Sequence, residues 1–422
     1  MNVDASRLWD RLQQLGRIGV VSASEGGGIV RPAYGSAHAE AVALVAGWMR
    51  EAGLDVGVDE TGNLIGSWPG DDPGRPAIGL GSHLDTVPHG GAFDGALGVL
   101  AALEAVQTMA ERGERLTHPV AVLGFADEEG NNFGIGVLSA QVWIGEIAGD
   151  RFDEVTDREG RSLAAYLRSF EVPGVDLVPR PVLAAYLEAH VEQGPVLDTE
   201  SRPAAAVEGI VGISRATVRF EGEANHAGTT PMALRRDAAC AAAELTLAVR
   251  ELARAADGRA VATVGVLEIA PGATNVIPGS ATMRVEIRSP DAERLASMRD
   301  AVAERARTVA ERDGLTVTIE PWHTAPPVPM DAALLRATQE ALVEAALPAF
   351  TMPSWAGHDA KVLARAMPVG MVFVPSVDGV SHAPGEATKR EDCATAAELL
   401  YFAVRRADRA LVDASGVDRE HA

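Results

Sequence analysis

Three short strand-like runs in this chain each lead directly into residues that can bind a metal ion. The runs, with the acidic or histidine residue that follows each, are 77–81 with His83, 120–125 with Asp127 and 183–188 with His190. Helix-like periodic segments lie between them, which is typical of the buried strands of an α/β domain. Binding sites in open α/β sheets form at the carboxyl ends of the strands. The chain therefore predicts an α/β domain whose site lies where these three strands end.

The pattern of the chain changes near residue 210 and returns after about residue 325. The alternating segments of the middle part, and the alanine-rich helical segments between them, are 214–221, 236–256, 281–288 and 291–313. Alternation predicts strands with one buried face, and this order of elements predicts a small α+β module with an antiparallel sheet. We therefore expect a catalytic α/β domain with a mixed central sheet, residues 1–209 and 326–422, interrupted by a lid domain, residues 210–325.

The composition excludes several classes of protein. The formal net charge of −22 argues against binding to nucleic acids or anionic membranes, both of which require a basic surface. With 2 cysteines in 422 residues, a disulfide framework is excluded. The sequence shows neither a signal pattern nor an apolar stretch of about 18 residues. We therefore expect a cytoplasmic enzyme that binds neither nucleic acid nor membrane.

Several residues of metal-binding type fall at predicted strand ends or in the adjoining loops. They are His83, Asp94, Glu129, His190 and His382. Either of the last two histidines alone would more often be an ordinary packed or surface residue, but together the set suits divalent transition metals. A shared Asp94 can bridge two ions, with His83 and His190 on one and Glu129 and His382 on the other. The sequence therefore predicts a dinuclear site with room for a water molecule.

Two further carboxylates near this set have expected roles. Asp85 lies two residues after His83, on the same side of the backbone, and can hold the second N–H of that imidazole. Glu128 precedes Glu129, and adjacent side chains on a strand point in opposite directions. We therefore expect Glu128 to reach the water, take its proton and pass it to a leaving nitrogen, the general base and acid role of hydrolases.

The predicted lid carries three polar residues that can contact a substrate. His226 lies in the loop GEANHAGTTPM, an unusual place for a packing histidine. Asn275 and Arg288 lie on or beside strands of the lid, and the planar fork of an arginine matches a carboxylate with two hydrogen bonds. On spacing alone, a surface arginine on an edge strand is an equally good interpretation of Arg288.

Several stretches of the sequence carry a resemblance to a known family. They are GSHLDTVPHGGAFDG, FADEEGNNFG, LEAHVEQGPVLD, NHAGTTPMALRRDA, GATNVIPG, MRVEIRS, AGHDA and FVPSVDGVSHAPGE. Over nearly its full length the chain resembles the amidohydrolase branch of the M20 metallopeptidase family, which includes N-carbamoyl-L-amino acid hydrolases, β-ureidopropionases and allantoate amidohydrolases. The stretches HVEQGPVL and HAGTTPM distinguish this branch from ordinary M20 peptidases.

The resemblance implies a zinc-peptidase-like catalytic domain and a lid that joins two copies of the chain into a homodimer. It implies the metal ligands named above, Glu128 as the catalytic carboxylate, and His226 reaching the active site of the neighbouring subunit. It further implies substrate contacts from a set of polar residues: Gln193, Arg215, Asn275, Arg288 and His358. One departure is visible, because the family often has Ser-Gly before AGHDA and this chain has Ser354 and Trp355.

The expected function is hydrolysis of the C–N bond of a carbamoyl or ureido group on a small carboxylate, with two divalent ions activating the water. N-carbamoyl-L-amino acids are the first expected substrate and allantoate is the second. An M20-type dipeptidase or aminoacylase would use the same metals. A non-catalytic ureide- or amino-acid-binding protein would lack the base or a ligand, and this chain lacks neither. Such ligands accept Zn, Mn, Co or Ni, and zinc is the expected metal.

Overall fold

The computed structural model of the protein describes residues 2–420. The chain forms two compact units: the first comprises the chain up to Glu208 and from Met330 onward, and the second is Gly209–Pro329. We call the second the lid unit, because it contains the predicted lid. The covering and dimerising roles that the sequence predicts for the lid unit stay predictions.

The α-helices and β-strands follow one another along both units. The helices are α1 (Ala5–Leu15), α2 (Ser36–Glu51), α3 (Ala96–Glu111), α4 (Leu138–Trp143), α5 (Leu163–Ser169), α6 (Val196–Thr199), α7 (Ala238–Arg254), α8 (Ala292–Asp313), α9 (Ala332–Glu344), α10 (Asp359–Leu363) and α11 (Arg390–Glu420). The strands are β1 (Asp55–Val58), β2 (Leu64–Trp68), β3 (Ala77–His83), β4 (Val120–Phe125), β5 (Leu183–Val191), β6 (Ala205–Ile210), β7 (Gly212–Glu221), β8 (Val261–Ala270), β9 (Ser280–Ser289), β10 (Thr316–Ile319), β11 (His323–Ala325), β12 (Val328–Pro329), β13 (Thr351–Ser354) and β14 (Val369–Val374). Within residues 2–420, no helix combines the length and the apolar character needed to cross a membrane.

The first unit is built on a mixed sheet whose strands follow the order β1-β2-β4-β3-β5-β14-β6. Its centre is parallel, since β3 pairs in parallel with both β4 and β5, and β5 with β14. Antiparallel pairs flank this centre, β2 against β4 on one side and β14 against β6 on the other. The prediction of an α/β domain with a mixed central sheet is therefore confirmed. Its parallel centre places the carboxyl ends of β3, β4, β5 and β14 at one edge.

The central strands are buried along their length, which explains their continuous apolar sequence. Every residue of β3, β4 and β14 is buried. Helices α3 and α11 pack against this sheet and share its main hydrophobic core, to which Leu97 and Leu400 contribute. A glycine lets α3 approach closely, because a Cβ at Gly98 would lie only 2.3 Å from the carbonyl oxygen of Ala189 in β5. This close contact holds the start of α3 beside the ends of the central strands.

The lid unit contains an antiparallel sheet of order β10-β7-β9-β8, with β11 also paired to β7. Alternate residues of β7, among them Val218 and Phe220, are buried in a core shared with α7 and α8. Asp237 and Asp291 cap these helices by accepting backbone N–H groups of the first turn. The order of strands and helices matches the order predicted from the alternating and alanine-rich segments. The prediction of a small antiparallel α+β module is therefore confirmed.

Candidate metal centre and active site

The sheet edge brings the predicted metal ligands together around the carboxylate of Asp94. Asp94 Oδ1 lies 3.4 Å from His83 Nε2 and 3.1 Å from His190 Nε2. Its other oxygen, Oδ2, lies 3.3 Å from His382 Nε2, which is 3.6 Å from Glu129 Oε2. Asp94 thus presents one oxygen to a pair of imidazoles and the other to a third imidazole beside a second carboxylate. This is the arrangement expected of a bridging ligand.

The hydrogen bonds of two imidazoles fix which ring nitrogen can bind a cation. His83 Nδ1 lies 3.0 Å from the backbone oxygen of Asp85, and His190 Nδ1 lies 2.8 Å from that of Val191. A carbonyl oxygen can only accept, so each Nδ1 carries a proton and donates it. The lone pair of each neutral ring then lies on Nε2 and points toward Asp94, which is the orientation that metal-binding histidines adopt.

The buried polar atoms of this cluster fit a cationic group. Asp94 Oδ1 and Glu129 Oε1 are buried, and neither has a hydrogen-bond donor among the described residues. The ligand atoms of His83, Asp94 and His190 lie within 4.8 Å of one another, and so do those of Asp94, Glu129 and His382. Each set could hold one ion, and Asp94 belongs to both. The donors are imidazole nitrogen and carboxylate oxygen, which suit zinc, manganese, cobalt and nickel.

The electrostatics of the cluster also favour positive charge. Burial, together with the charge of Asp94, raises the pKa of the Glu129 carboxyl to about 7. The hydrogen bond to Asp94 raises the pKa of His382 to about 9. Burial raises the pKa of Glu128 well above its ordinary value. Crowded carboxylates in a buried site therefore attract protons or a cation strongly.

Asp85 interacts with the site differently from the sequence expectation. Its carboxylate oxygen lies 3.8 Å from His83 Nδ1, whereas its backbone oxygen makes the hydrogen bond to that ring. The two carboxylate oxygens accept the backbone N–H groups of Glu128 and Glu129, each at 3.3 Å. The expected contact between carboxylate and imidazole is thus replaced by the nearer carbonyl. Asp85 instead connects the end of β3 to the turn that carries both glutamates.

The prediction that the side chains of Glu128 and Glu129 point in opposite directions is wrong. Ligand-type atoms of Glu128, Glu129 and His83 all lie within 4.8 Å of one another, and Glu128 Oε2 lies 3.9 Å from His83 Nε2. The reason is that β4 ends at Phe125, and Asp127 adopts a left-handed conformation with φ of 57°. The strand pleat therefore no longer determines where the two side chains point. Glu128 therefore lies beside the ligand cluster.

Two predicted substrate residues of the first unit contact the ligand cluster directly. Gln193 Nε2 donates to Asp94 Oδ2 at 2.7 Å, while its Oε1 is buried with no donor among the described residues. The ring of His358 lies 4.5 Å, centre to centre, from that of His190, and His358 Nε2 lies 2.8 Å from Ser354 Oγ. Trp355, the departure from the family pattern, follows Ser354 and is half-buried. Gln193 thus has an unused acceptor beside the cluster.

Sequence reasoning missed Glu386, which positions the loop of Asp94. Glu386 Oε1 accepts the backbone N–H groups of Phe93 and Asp94, both at 2.9 Å. Its Oε2 accepts a hydrogen bond at 3.1 Å from Ser381 Oγ, which lies at the same distance from Asp94 Oδ2. The signal was present in the sequence, because a glutamate in the stretch SHAPGE follows His382 by four residues. Glu386 therefore joins the loop of Asp94 to the loop of His382.

The remaining predicted residues lie in the lid unit. His226 Nδ1 accepts the backbone N–H groups of Gly228 at 2.9 Å and Thr229 at 3.2 Å. A neutral His226 ring must then carry its proton on Nε2, which makes that nitrogen a hydrogen-bond donor. The backbone oxygen of Asn275 accepts from Ala227 at 3.0 Å, so the loops of His226 and Asn275 are neighbours. Arg215 and Arg288 both form ion pairs with Glu286 on the lid sheet.

The mixed sheet and its edge of imidazoles and carboxylates define a metal-dependent hydrolase. The sequence model of peptidase family M20/M25/M40 matches residues 79–406, and the chain belongs to this family. The predicted resemblance to the M20 family is therefore confirmed.

Relatives of the chain are named for hydrolysis of non-peptide C–N bonds. The chain is similar to the N-carbamoyl-L-amino acid amidohydrolase of Geobacillus stearothermophilus, with 40% identity over 95% of this chain and 98% of the relative. It is 33% identical to the allantoate amidohydrolase of Escherichia coli strain K12, over 90% of this chain and 94% of that protein. Among solved structures, an amidase of the hydantoinase/carbamoylase family from Burkholderia multivorans matches with a TM-score of 0.89 and 33% identity, over 95% of this chain and 97% of that one.

Proposed function

We propose that this protein hydrolyses the C–N bond of the carbamoyl group of N-carbamoyl-L-amino acids. One observation carries the proposal of a two-ion hydrolase: Asp94 offers one oxygen to His83 and His190 and the other to His382, with Glu128 alongside. The similarity to an N-carbamoyl-L-amino acid amidohydrolase over nearly the whole of both chains supports the choice of substrate.

The ligand set divides naturally between two divalent ions, for which zinc is our first choice and manganese, cobalt or nickel the alternatives. His83, His190 and Asp94 Oδ1 would hold one ion, and Glu129, His382 and Asp94 Oδ2 the other. When bound, such ions lower the pKa of a water molecule and polarise a carbonyl oxygen. Gln193 and Ser381 both lie within hydrogen-bond distance of Asp94 Oδ2, so they help to hold the shared carboxylate in this orientation.

Glu128 is proposed to move the proton that hydrolysis requires. As the oxygen of water bonds to the carbamoyl carbon, Glu128 takes a proton from that water. It then gives the proton to the amino nitrogen of the amino acid as the C–N bond breaks. The products are the free amino acid and carbamic acid, which decomposes to ammonia and carbon dioxide. Glu128 is suited to this role because its Oε2 lies 3.9 Å from His83 Nε2, beside the proposed metal ligands.

The remaining residues are proposed to bind the substrate. His226, with its proton on Nε2, would donate a hydrogen bond to the carbonyl oxygen as negative charge develops there, an interaction worth about 3 kcal/mol in comparable enzymes. We propose that it does so in the site of the neighbouring subunit of a homodimer. Arg288, with Asn275 and Arg215, would bind the carboxylate of the substrate. Gln193 Oε1, buried without a donor, would accept an N–H of the ureido group.

A substrate panel tests this proposal. The purified protein, loaded with zinc or manganese, is assayed for ammonia release from N-carbamoyl-L-amino acids, their D-enantiomers, ureidopropionate and allantoate, and for dipeptide cleavage. We expect the highest kcat/KM with an N-carbamoyl-L-amino acid, and we expect Glu128→Gln to lower kcat about a hundred- to ten-thousandfold. Preferential turnover of allantoate or of a dipeptide would show that the proposed substrate is wrong, but the assignment as a metal-dependent hydrolase would stand. No turnover of any member would contradict the proposal.

A further inference from the structure

Two arginines of the lid sheet share one carboxylate. Arg215 Nε donates to Glu286 Oε2 at 2.6 Å, and Arg288 Nε donates to Glu286 Oε1 at 2.7 Å. Each carboxylate oxygen therefore holds a different guanidinium group. We call these three residues the arginine clamp. The clamp lies wholly within the lid unit.

The register of the sheet explains why the clamp forms. Arg215 of β7 pairs directly with Glu286 of β9, and Arg288 follows Glu286 by two residues, so all three side chains lie on one face. The residues on either side of Glu286 on β9, Val285 and Ile287, are buried in the core shared with α7 and α8. The clamp is therefore on the face opposite the two helices, where about three fifths of the Arg215 side chain is exposed.

The formal charge of the clamp is +1, because two guanidinium groups are joined to one carboxylate. Burial raises the pKa of Glu286, but the hydrogen bonds from Arg288 and Arg215 outweigh it and leave that pKa below its ordinary value. Glu286 is therefore ionised at neutral pH. An open cavity of about 640 Å³ beside the clamp is also lined by Arg284 and Glu320, whose formal charges cancel. The charge of +1 therefore belongs to the three residues of the clamp, whereas the charged residues that line the cavity itself, Arg215, Arg284, Glu286 and Glu320, balance one another.

We propose that Glu286 is a positioning residue that aligns Arg215 and Arg288 and restricts the clamp to substrates with a single carboxylate. This inference rests on the proposed function and deepens it by naming the substrate class. An N-carbamoyl amino acid with an uncharged side chain brings one negative charge, which the +1 clamp neutralises. A dicarboxylate such as N-carbamoyl-L-aspartate brings a second negative charge, which Glu286 repels at short range.

Removing the charge of Glu286 while keeping its shape tests this inference. In Glu286→Gln the clamp carries a charge of +2. We expect the ratio of kcat/KM for N-carbamoyl-L-aspartate to kcat/KM for N-carbamoyl-L-methionine to rise roughly three- to tenfold, since an exposed site screens the charge. We expect KM for the monocarboxylate to rise more than kcat falls, because the two arginines lose their shared partner.

Two further variants separate charge from geometry. Glu286→Asp keeps the charge but shortens the reach, so KM should rise while the charge preference stays that of the wild type. Glu304→Gln, on α8, removes the same charge from a glutamate 3.8 Å from Arg307 on the helical side of the lid unit, and should change neither quantity. Thermal unfolding of each variant checks that it is folded. If Glu286→Gln does not fold, Glu286→Asp still tests the positioning role of Glu286.

The outcomes distinguish the two proposals. Wild-type turnover of N-carbamoyl amino acids combined with an unchanged preference in Glu286→Gln overturns the role of Glu286 alone. An equal change in Glu304→Gln also overturns it, because the effect would then belong to the total charge of the lid unit. If the wild type turns over no N-carbamoyl amino acid, the proposed function falls and this inference falls with it.

Discussion

At the scale of single residues, the orientation of Asp94 depends on partners that are far away in sequence. Gln193 and Ser381 lie within hydrogen-bond distance of Oδ2, Glu386 accepts the backbone N–H, and Oδ1 faces two histidines with no donor of its own. Such outer interactions fix the geometry of a metal ligand before the ion arrives. Each oxygen of Asp94 is therefore already directed toward one of the two proposed ions in the folded chain.

Replacement of Glu386 should weaken metal binding without removing a ligand. Glu386→Ala leaves the N–H groups of Phe93 and Asp94 without an acceptor, so we expect metal affinity to fall about 10- to 100-fold. Competition with a chromophoric chelator measures this affinity. Glu386→Gln is the matched control, because its amide oxygen can still accept both N–H groups and should retain most of the affinity. Wild-type affinity in Glu386→Ala would mean that the loop of Asp94 is held by other contacts.

Replacement of Glu128 should lower the rate of catalysis and leave metal binding unchanged. Glu128→Gln removes the proposed proton carrier but none of the proposed ligands, so kcat should fall about a hundred- to ten-thousandfold. Metal analysis should still find close to two ions per subunit. Loss of one ion would show that Glu128 is a metal ligand and would contradict its assignment as the proton carrier. This alternative needs to be tested because Glu128 Oε2 lies only 3.9 Å from His83 Nε2.

The limits of sequence reasoning at this scale follow from how residues are connected. His83 and His190 could be placed at the site because each lies at the carboxyl end of a buried strand of the parallel centre. The position of Glu386 four residues after His382 could have marked it as a neighbour of the site, but its partner Asp94, 292 residues away in sequence, could not have been predicted. The directions of Glu128 and of the Asp85 carboxylate were also missed. Both depend on turn geometry after the strand ends, where the alternation of a strand no longer applies.

At the scale of elements, helix α3 and the central strands approach each other through one glycine. A Cβ at Gly98 would lie 2.3 Å from the Ala189 oxygen and 2.7 Å from Ser82 Cβ. These two residues precede His190 and His83 in the chain. The spacing between helix and sheet is therefore coupled to the positions of two proposed ligands. The apolar pattern predicted the helix itself but could not predict this contact, because it depends on packing in three dimensions.

Gly98→Ala should therefore destabilise the protein even though alanine favours helices. We expect the free energy of unfolding to fall by about 1–3 kcal/mol, since the added methyl group must displace backbone. Chemical denaturation measures this change, and metal affinity should fall with it. Gly47→Ala in α2 is the control, because apart from its chain neighbours and the backbone of its own helix no atom of the described residues lies within 4 Å of its Cβ position, and it should stabilise by about 0.5–1 kcal/mol. Equal stability of both variants would contradict the close packing of α3.

At the scale of the whole molecule, the proposed homodimer can be tested by combining two different variant chains in one dimer. If His226 acts in the neighbouring subunit, each active site is built from two chains. Inactive Glu128→Gln and inactive His226→Ala are mixed and allowed to exchange subunits. One site of each heterodimer then holds both defects and the other holds neither, so activity should return toward about half that of the wild type per heterodimer.

The opposite result is equally clear for this experiment. If His226 serves its own chain, every site of the heterodimer carries one defect and mixing restores nothing. Tagged subunits of different mass establish by native mass spectrometry that exchange has taken place. Exchange without recovery would contradict the shared site. The sequence pattern alone predicted the lid as a separate module, but the assignment of His226 to one site or the other needs the assembled dimer.

The place of β14 between β5 and β6 has a consequence for how the protein is made on the ribosome. The chain from Gly209 to Pro329 is translated before β14 (Val369–Val374), so β5 emerges long before the strand that covers its second edge. The lid unit has a core of its own and can complete its folding in that interval. The nascent first unit must meanwhile keep an open strand edge in solution, and unpaired edges make such intermediates prone to aggregation. The proposed metal centre cannot assemble until His382 has left the exit tunnel, so a truncated translation product would contain most of the sheet but no complete site for its ions.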